Sequence, residues 1–197
     1  MSQRAPISLA ISLALLASAV IAYEIVLTRL FSFLLQYHYS FLIVSGAVFG
    51  LGLGALAVSR LSSHAAASWV AALAVATSAT ICLSGAFILH APRSGIALLL
   101  VVAGVPLVAA GAYLALLFRT WGHDSQRLYF WDLSGAALGT AWIVPAMDLG
   151  PGALGLCAAV AAGAGVLAAL TTPRRHLWLA ASGTCLALAL VVATLLD

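Results

Sequence analysis

The chain has 197 residues, of which 64% are apolar and 7% are charged, and its mean hydropathy is +1.17. Soluble domains carry roughly 25% charged residues, so this chain cannot cover a water-facing surface and is predicted to lie mostly in a lipid bilayer. Its formal charge of +3 comes from eight Arg and no Lys, scattered without forming a patch, so no nucleic-acid partner is expected.

Apolar runs separated by Arg, His, Pro and Gly predict an all-α, polytopic membrane protein with about seven transmembrane helices in a single domain. Pro106 falls inside the fourth run and predicts a kink there. The polar stretch 119–127 is the only predicted loop with room for more than a tight turn. The predicted spans are 7–28, 40–58, 66–89, 95–118, 128–145, 153–170 and 177–196.

The Arg residues also predict the orientation, because cytoplasmic loops carry an excess of basic residues. With seven spans, Arg29 and Arg93 lie on one side and the other Arg residues lie on the side of the N-terminus. The latter are Arg4, Arg60, Arg119, Arg127, Arg174 and Arg175. We therefore expect a cytoplasmic N-terminus and an outside C-terminus. Abundant Ala, Gly and Leu without Lys indicate a GC-rich bacterial genome, and hence a bacterial inner membrane.

Ionisable side chains near or inside the spans are costly and often functional. Glu24 and Arg29 lie about 140° apart around a helix, so they are not placed to pair with each other. Each side chain is expected to contact another helix, a water-filled cavity or the membrane–water interface. Asp132 opens the fifth span on the cytoplasmic side, too far from Glu24 and Arg29 to pair, and Arg60 and Arg127 are its nearer candidates. These residues could form a substrate or proton site, or they could serve only helix packing and snorkelling.

Glycines recur every four residues in two spans, at Gly46, Gly50 and Gly54 and again at Gly135 and Gly139. This spacing of small residues allows helix backbones to approach closely in a membrane. It predicts tight helix contacts, but it does not distinguish a contact within the chain from a contact with a partner.

No catalytic triad, zinc motif or phosphate loop is visible. The five His lie near the predicted membrane boundaries and not at the depth where they would bind a buried haem. A retinal protein would need a buried Lys, which this sequence lacks. The three Cys fall inside apolar runs and are expected to be free packing residues. We therefore expect no enzymatic activity, no catalytic residues, no metal and no cofactor in this chain.

Two segments resemble a known family. The stretch YEIVLTRL at 23–30, followed by the glycine-rich stretch 46–60, resembles the first two spans of membrane-bound spermidine-synthase-like proteins. The stretch YFWDLSGAALG at 129–139 resembles a later segment of the same family. The resemblance covers about 50 residues and implies a multi-span membrane region, which in that family is usually joined to a cytosolic aminopropyltransferase domain. The glycine-rich loop and catalytic aspartates of that domain have no counterpart in this sequence.

The sequence favours a non-catalytic membrane subunit or anchor that packs against other membrane-protein subunits. One alternative is a transporter of small solutes or protons that uses Glu24, Arg29 and Asp132. Another is the membrane half of a split spermidine-synthase-like enzyme whose soluble half is a separate chain.

Overall fold

The computed structural model describes residues 5–34, 40–60, 66–150, 152–172 and 175–195. Over these residues the prediction of an all-α protein is confirmed, and they include no strand. Short 3₁₀ turns at Gly122–Asp124 and Met147–Leu149 flank the fifth helix. The helices are α1 (Ile7–Leu34), α2 (Ser40–Ser59), α3 (Ala66–His90), α4 (Ile96–Thr120), α5 (Ser125–Ala146), α6 (Gly152–Ala169) and α7 (Arg175–Leu195).

Five of these helices, α1, α2, α3, α4 and α6, are long and apolar enough to cross a membrane. This agrees with the predicted multi-pass membrane protein. Within the described residues, α5 does not meet the same criterion, because Asp132 and several Ser, Thr, Gly, Tyr and Trp residues reduce its hydropathy. Helix α7 has 21 residues, and within the part whose side chains the structure describes it contributes the shorter apolar stretch Arg175–Val191.

The helix ends follow from local chemistry. Pro6 precedes α1, and its carbonyl accepts hydrogen bonds from the N–H groups of Leu9 and Ala10. The N–H that proline lacks would have no intrahelical partner at this position, so its absence costs no hydrogen bond. Pro106 lies buried inside a continuous α4. After α5, Gly150 has a φ of 57°, a conformation that favours glycine, and it turns the chain toward α6.

Helix α1 is the centre of the bundle and contacts α2, α4, α5 and α6. Helix α3 packs on α4, α6 and α7, and α6 packs on α7. Large apolar side chains along α1 are almost fully buried in these contacts, namely Leu9, Leu13, Leu16, Leu27 and Phe31. The interior of the bundle is therefore filled by its first helix.

Two buried polar groups of α1 fasten it to its neighbours. Ser12 shares a hydrogen bond of 2.7 Å with the hydroxyl of Tyr113 in α4, and it donates to the carbonyl of Ala164 in α6. The hydroxyl of Tyr23 shares a 2.7 Å hydrogen bond with Ser84 in α3, and it donates to a carbonyl of α4 at 3.2 Å. Hydroxyl groups at membrane depth need such partners, because no water is there to replace them.

The predicted loop 119–127 is wrong in its extent, because most of it belongs to the ends of α4 and α5. Its charged residues bind backbone at one end of the bundle. Arg119 donates to the carbonyl of Val58 in the last turn of α2 at 2.9 Å, where carbonyls lack intrahelical partners. Asp124 accepts the N–H of Ala5, and Arg127 donates to the Ala5 carbonyl, at 2.8 and 3.2 Å.

Candidate functional site

Glu24 and Arg29 line an open groove on the outside of the bundle, between the second half of α1, α2 and the end of α5. The groove has a volume of about 520 Å³. Its walls are mainly apolar. Glu24 is half-buried in it and Arg29 is exposed at its rim. The remaining lining residues are Ile21, Ile25, Thr28, Ser32, Val44 and Met147.

The two hydroxyl groups in this groove are already used by α1 itself. Thr28 donates to the carbonyl of Glu24 at 2.8 Å, and Ser32 donates to the carbonyl of Arg29 at 2.7 Å. Among the described residues, neither Glu24 nor Arg29 makes an ion pair within 4.0 Å. The ion pair that these residues do contain joins His123 and Asp124. The groove therefore presents one carboxylate and one guanidinium to whatever enters it.

Asp132 lies at a different level of the bundle. Gly135 faces Ala14 of α1 and Gly139 faces Ser18, so α1 and α5 run parallel and in step. This register places Asp132 thirteen residues below Glu24, or about 20 Å along the axis at 1.5 Å per residue. A transporter site that combines Glu24, Arg29 and Asp132 is therefore not assembled in one place.

The candidate ion-pair partners of Asp132 lie elsewhere. Arg127 binds the carbonyl of Ala5, and Arg60 is exposed just beyond the end of α2. No ion pair involves Asp132 in the part of the chain that the structure describes. The predicted pairing of Asp132 with Arg60 or Arg127 is thus not formed there, because Arg127 reaches toward the start of α1 instead.

Four of the five predicted packing glycines lie in backbone-to-backbone contacts within the chain. A Cβ added to Gly54 would collide with the backbone of Val108 and Ala112, and one added to Gly50 would lie 3.1 Å from Leu107. Gly135 and Gly139 likewise leave no room for a Cβ against the backbone of α1. These glycines form two parallel contacts, α2 with α4 and α1 with α5.

Gly46 differs from this prediction. No heavy atom lies within 4 Å of the position of its Cβ, and the same is true of Gly104 on α4. Both glycines line an apolar groove of about 510 Å³ between α2 and α4. The four-residue spacing continues to Gly46, but no heavy atom of α4 comes within 4 Å of its Cβ position.

The sequence pattern missed the buried polar contacts of Tyr23 and Ser12 with other helices. Their signal is a tyrosine or serine in the middle of an apolar run, which composition alone counts as apolar or neutral. A further example is Ser18, which accepts a hydrogen bond from the indole of Trp142 at 2.8 Å. All of these contacts join helices of this chain to one another.

The chemistry open to the groove is ionic. Glu24 can accept hydrogen bonds or bind a cation, and Arg29 can bind a carboxylate or phosphate. Within the described ranges, no group of three or more His, Cys, Asp or Glu side chains is placed to hold a metal ion.

Comparison of the sequence with models of protein families, with curated proteins and with solved structures gives no match. The resemblance of residues 23–60 and 129–139 to membrane-bound spermidine-synthase-like proteins stays a prediction.

Proposed function

We propose that this chain is a non-catalytic integral membrane subunit or anchor that packs against other subunits in a membrane complex. The observation that carries this proposal is the central position of α1, whose large apolar side chains fill the interior. Glu24 and Arg29 face outward into an open groove instead of lining an internal path. Charges on the outside of a membrane bundle fit contact with another protein better than passage of a solute through the bundle.

We further propose that all seven helices span a bacterial inner membrane, with a cytoplasmic N-terminus and an outside C-terminus. Helix α5 runs parallel to α1 over its glycine contacts, and at 22 residues it is about 33 Å long, comparable to the hydrocarbon thickness. A reporter enzyme fused to the C-terminus, active only outside the cytoplasm, is expected to be active. A fusion at Arg60 provides the control and should be inactive; the reverse pattern would contradict this orientation.

The subunit proposal predicts that the chain leaves the membrane in a complex. An affinity-tagged chain extracted in a mild detergent is expected to elute with stoichiometric partner chains, and native mass spectrometry should give the mass of an assembly. The untagged strain, treated identically, controls for adventitious proteins. A stable single chain in both mild detergent and lipid nanodiscs would contradict the proposal.

A further inference from the structure

The groove lined by Glu24 and Arg29 carries opposite charges on one helix. The groove of one copy is therefore complementary in charge to the same groove of a second copy. Glu24 lies nearer the middle of α1, and Arg29 lies five residues closer to its end, or about 7.5 Å along the axis. A two-fold axis along the membrane normal would place each groove against the same groove of a second copy. Two-fold contacts of this kind use one surface patch twice.

The lengths and directions of the two side chains decide how they can pair. Side chains on a helix all lean toward its N-terminus, so this tilt displaces Arg29 and Glu24 alike. The offset between their levels is bridged by the greater length of the Arg29 side chain. Within one helix the two side chains point about 140° apart, which disfavours a pair within the same copy. Across a two-fold axis, Arg29 of each copy can reach Glu24 of the other.

The wall of α2 beside the groove also suits a helical partner. Val44 lines the groove and is 46% exposed, and Val48 one turn later is 68% exposed. Gly52 continues this row and has no heavy atom within 4 Å of its Cβ position. Unlike Gly50 and Gly54, Gly52 is therefore not used for packing within the chain.

We propose that a second copy of this chain docks in the groove, forming a two-fold dimer held by reciprocal Glu24–Arg29 ion pairs at membrane depth. The inference rests on the proposed function, since it names one of the subunits. It is favoured by charge complementarity, because a carboxylate and a guanidinium that lack ion pairs among the described residues would satisfy each other twice.

Charge reversal tests this dimer. The chain, fluorescently labelled and diluted in lipid vesicles, is counted by single-molecule photobleaching. Glu24→Arg and Arg29→Glu are each expected to weaken dimerisation by about tenfold or more, because each places like charges together. The double variant Glu24→Arg with Arg29→Glu should restore dimerisation to within about threefold of the original. Arg93→Glu makes the same charge change outside the groove and should leave dimerisation unchanged.

Cysteine cross-linking provides a second measurement if a charge variant fails to fold. In a background with Cys82, Cys157 and Cys185 replaced by alanine, Val44→Cys should cross-link to itself. Leu188→Cys, on the exposed face of α7, should not.

Three outcomes would overturn the dimer: a monomeric original chain, single charge variants that dimerise normally, or equal cross-linking at both positions. If a single copy of the chain copurifies with other proteins, the dimer is overturned but the proposed function still stands. A chain that is both monomeric and without partners would overturn the proposed function as well.

Discussion

Replacing Gly54 with alanine is expected to destabilise the bundle by about 2 to 3 kcal/mol, within the usual cost of overpacking. The added methyl group would collide with the backbone of α4 at Val108 and Ala112. Backbone atoms cannot move aside as a flexible side chain can, so α2 and α4 would have to separate. The free energy of unfolding in mixed micelles, titrated with a denaturing detergent, measures the effect.

Gly52 provides a matched control on the same helix, two residues away. Its Cβ position is open, so at a dilution that keeps copies apart Gly52→Ala should leave the stability of the chain unchanged or raise it by up to about 1 kcal/mol, the intrinsic preference of a helix for alanine. The contrast between the two variants separates close backbone contact from the intrinsic effect of glycine in a helix. Equal losses in the two variants would show that the α2–α4 contact does not depend on Gly54.

Replacing Tyr23 with alanine is expected to cost about 3 to 5 kcal/mol, as for other large buried aromatic side chains. Tyr23 is fully buried on α1, and its hydroxyl contacts both α3 and α4. Tyr23→Phe keeps the ring and removes the hydroxyl, so it should cost about 1 kcal/mol, in the range of interhelical hydrogen bonds in membranes. The same unfolding titration gives both values.

Tyr129 on α5 is the control for Tyr23, because it is 57% exposed. Tyr129→Ala should stay within about 0.5 kcal/mol of the original chain. If Tyr23→Ala proved as mild as Tyr129→Ala, α1 would not be the packed centre of the bundle.

Much of the fold could be predicted because hydropathy is a strong signal over 20 residues. Apolar runs located every helix, and five of them meet the criteria for a membrane span. The error at 119–127 has a physical cause: polarity indicates contact with water or with polar groups, and here Arg119, Asp124 and Arg127 bind backbone at helix ends. A single sequence does not distinguish these two uses of a charged residue.

The candidate site was less predictable because it depends on how helices are placed in three dimensions. Glycine spacing indicates close contact, but Gly50 and Gly46 carry the same pattern and only Gly50 meets another helix. Similarly, the sequence alone shows that Glu24 carries a free-energy cost in a membrane. The groove that receives Glu24 depends on where α5 ends relative to α1, because Met147, in the turn that follows α5, forms part of its wall.

The parallel contact between α1 and α5 sets an order for biosynthesis. Gly135 is made about 120 residues after Ala14, and at 5 to 20 residues per second the ribosome needs about 6 to 24 s to reach it. During that interval, Ser18 and the backbone around Ala14 are without the helix that covers them in the finished protein. The central helix is therefore among the last to acquire its full set of neighbours, and in the meantime lipid or the insertion machinery must shield it.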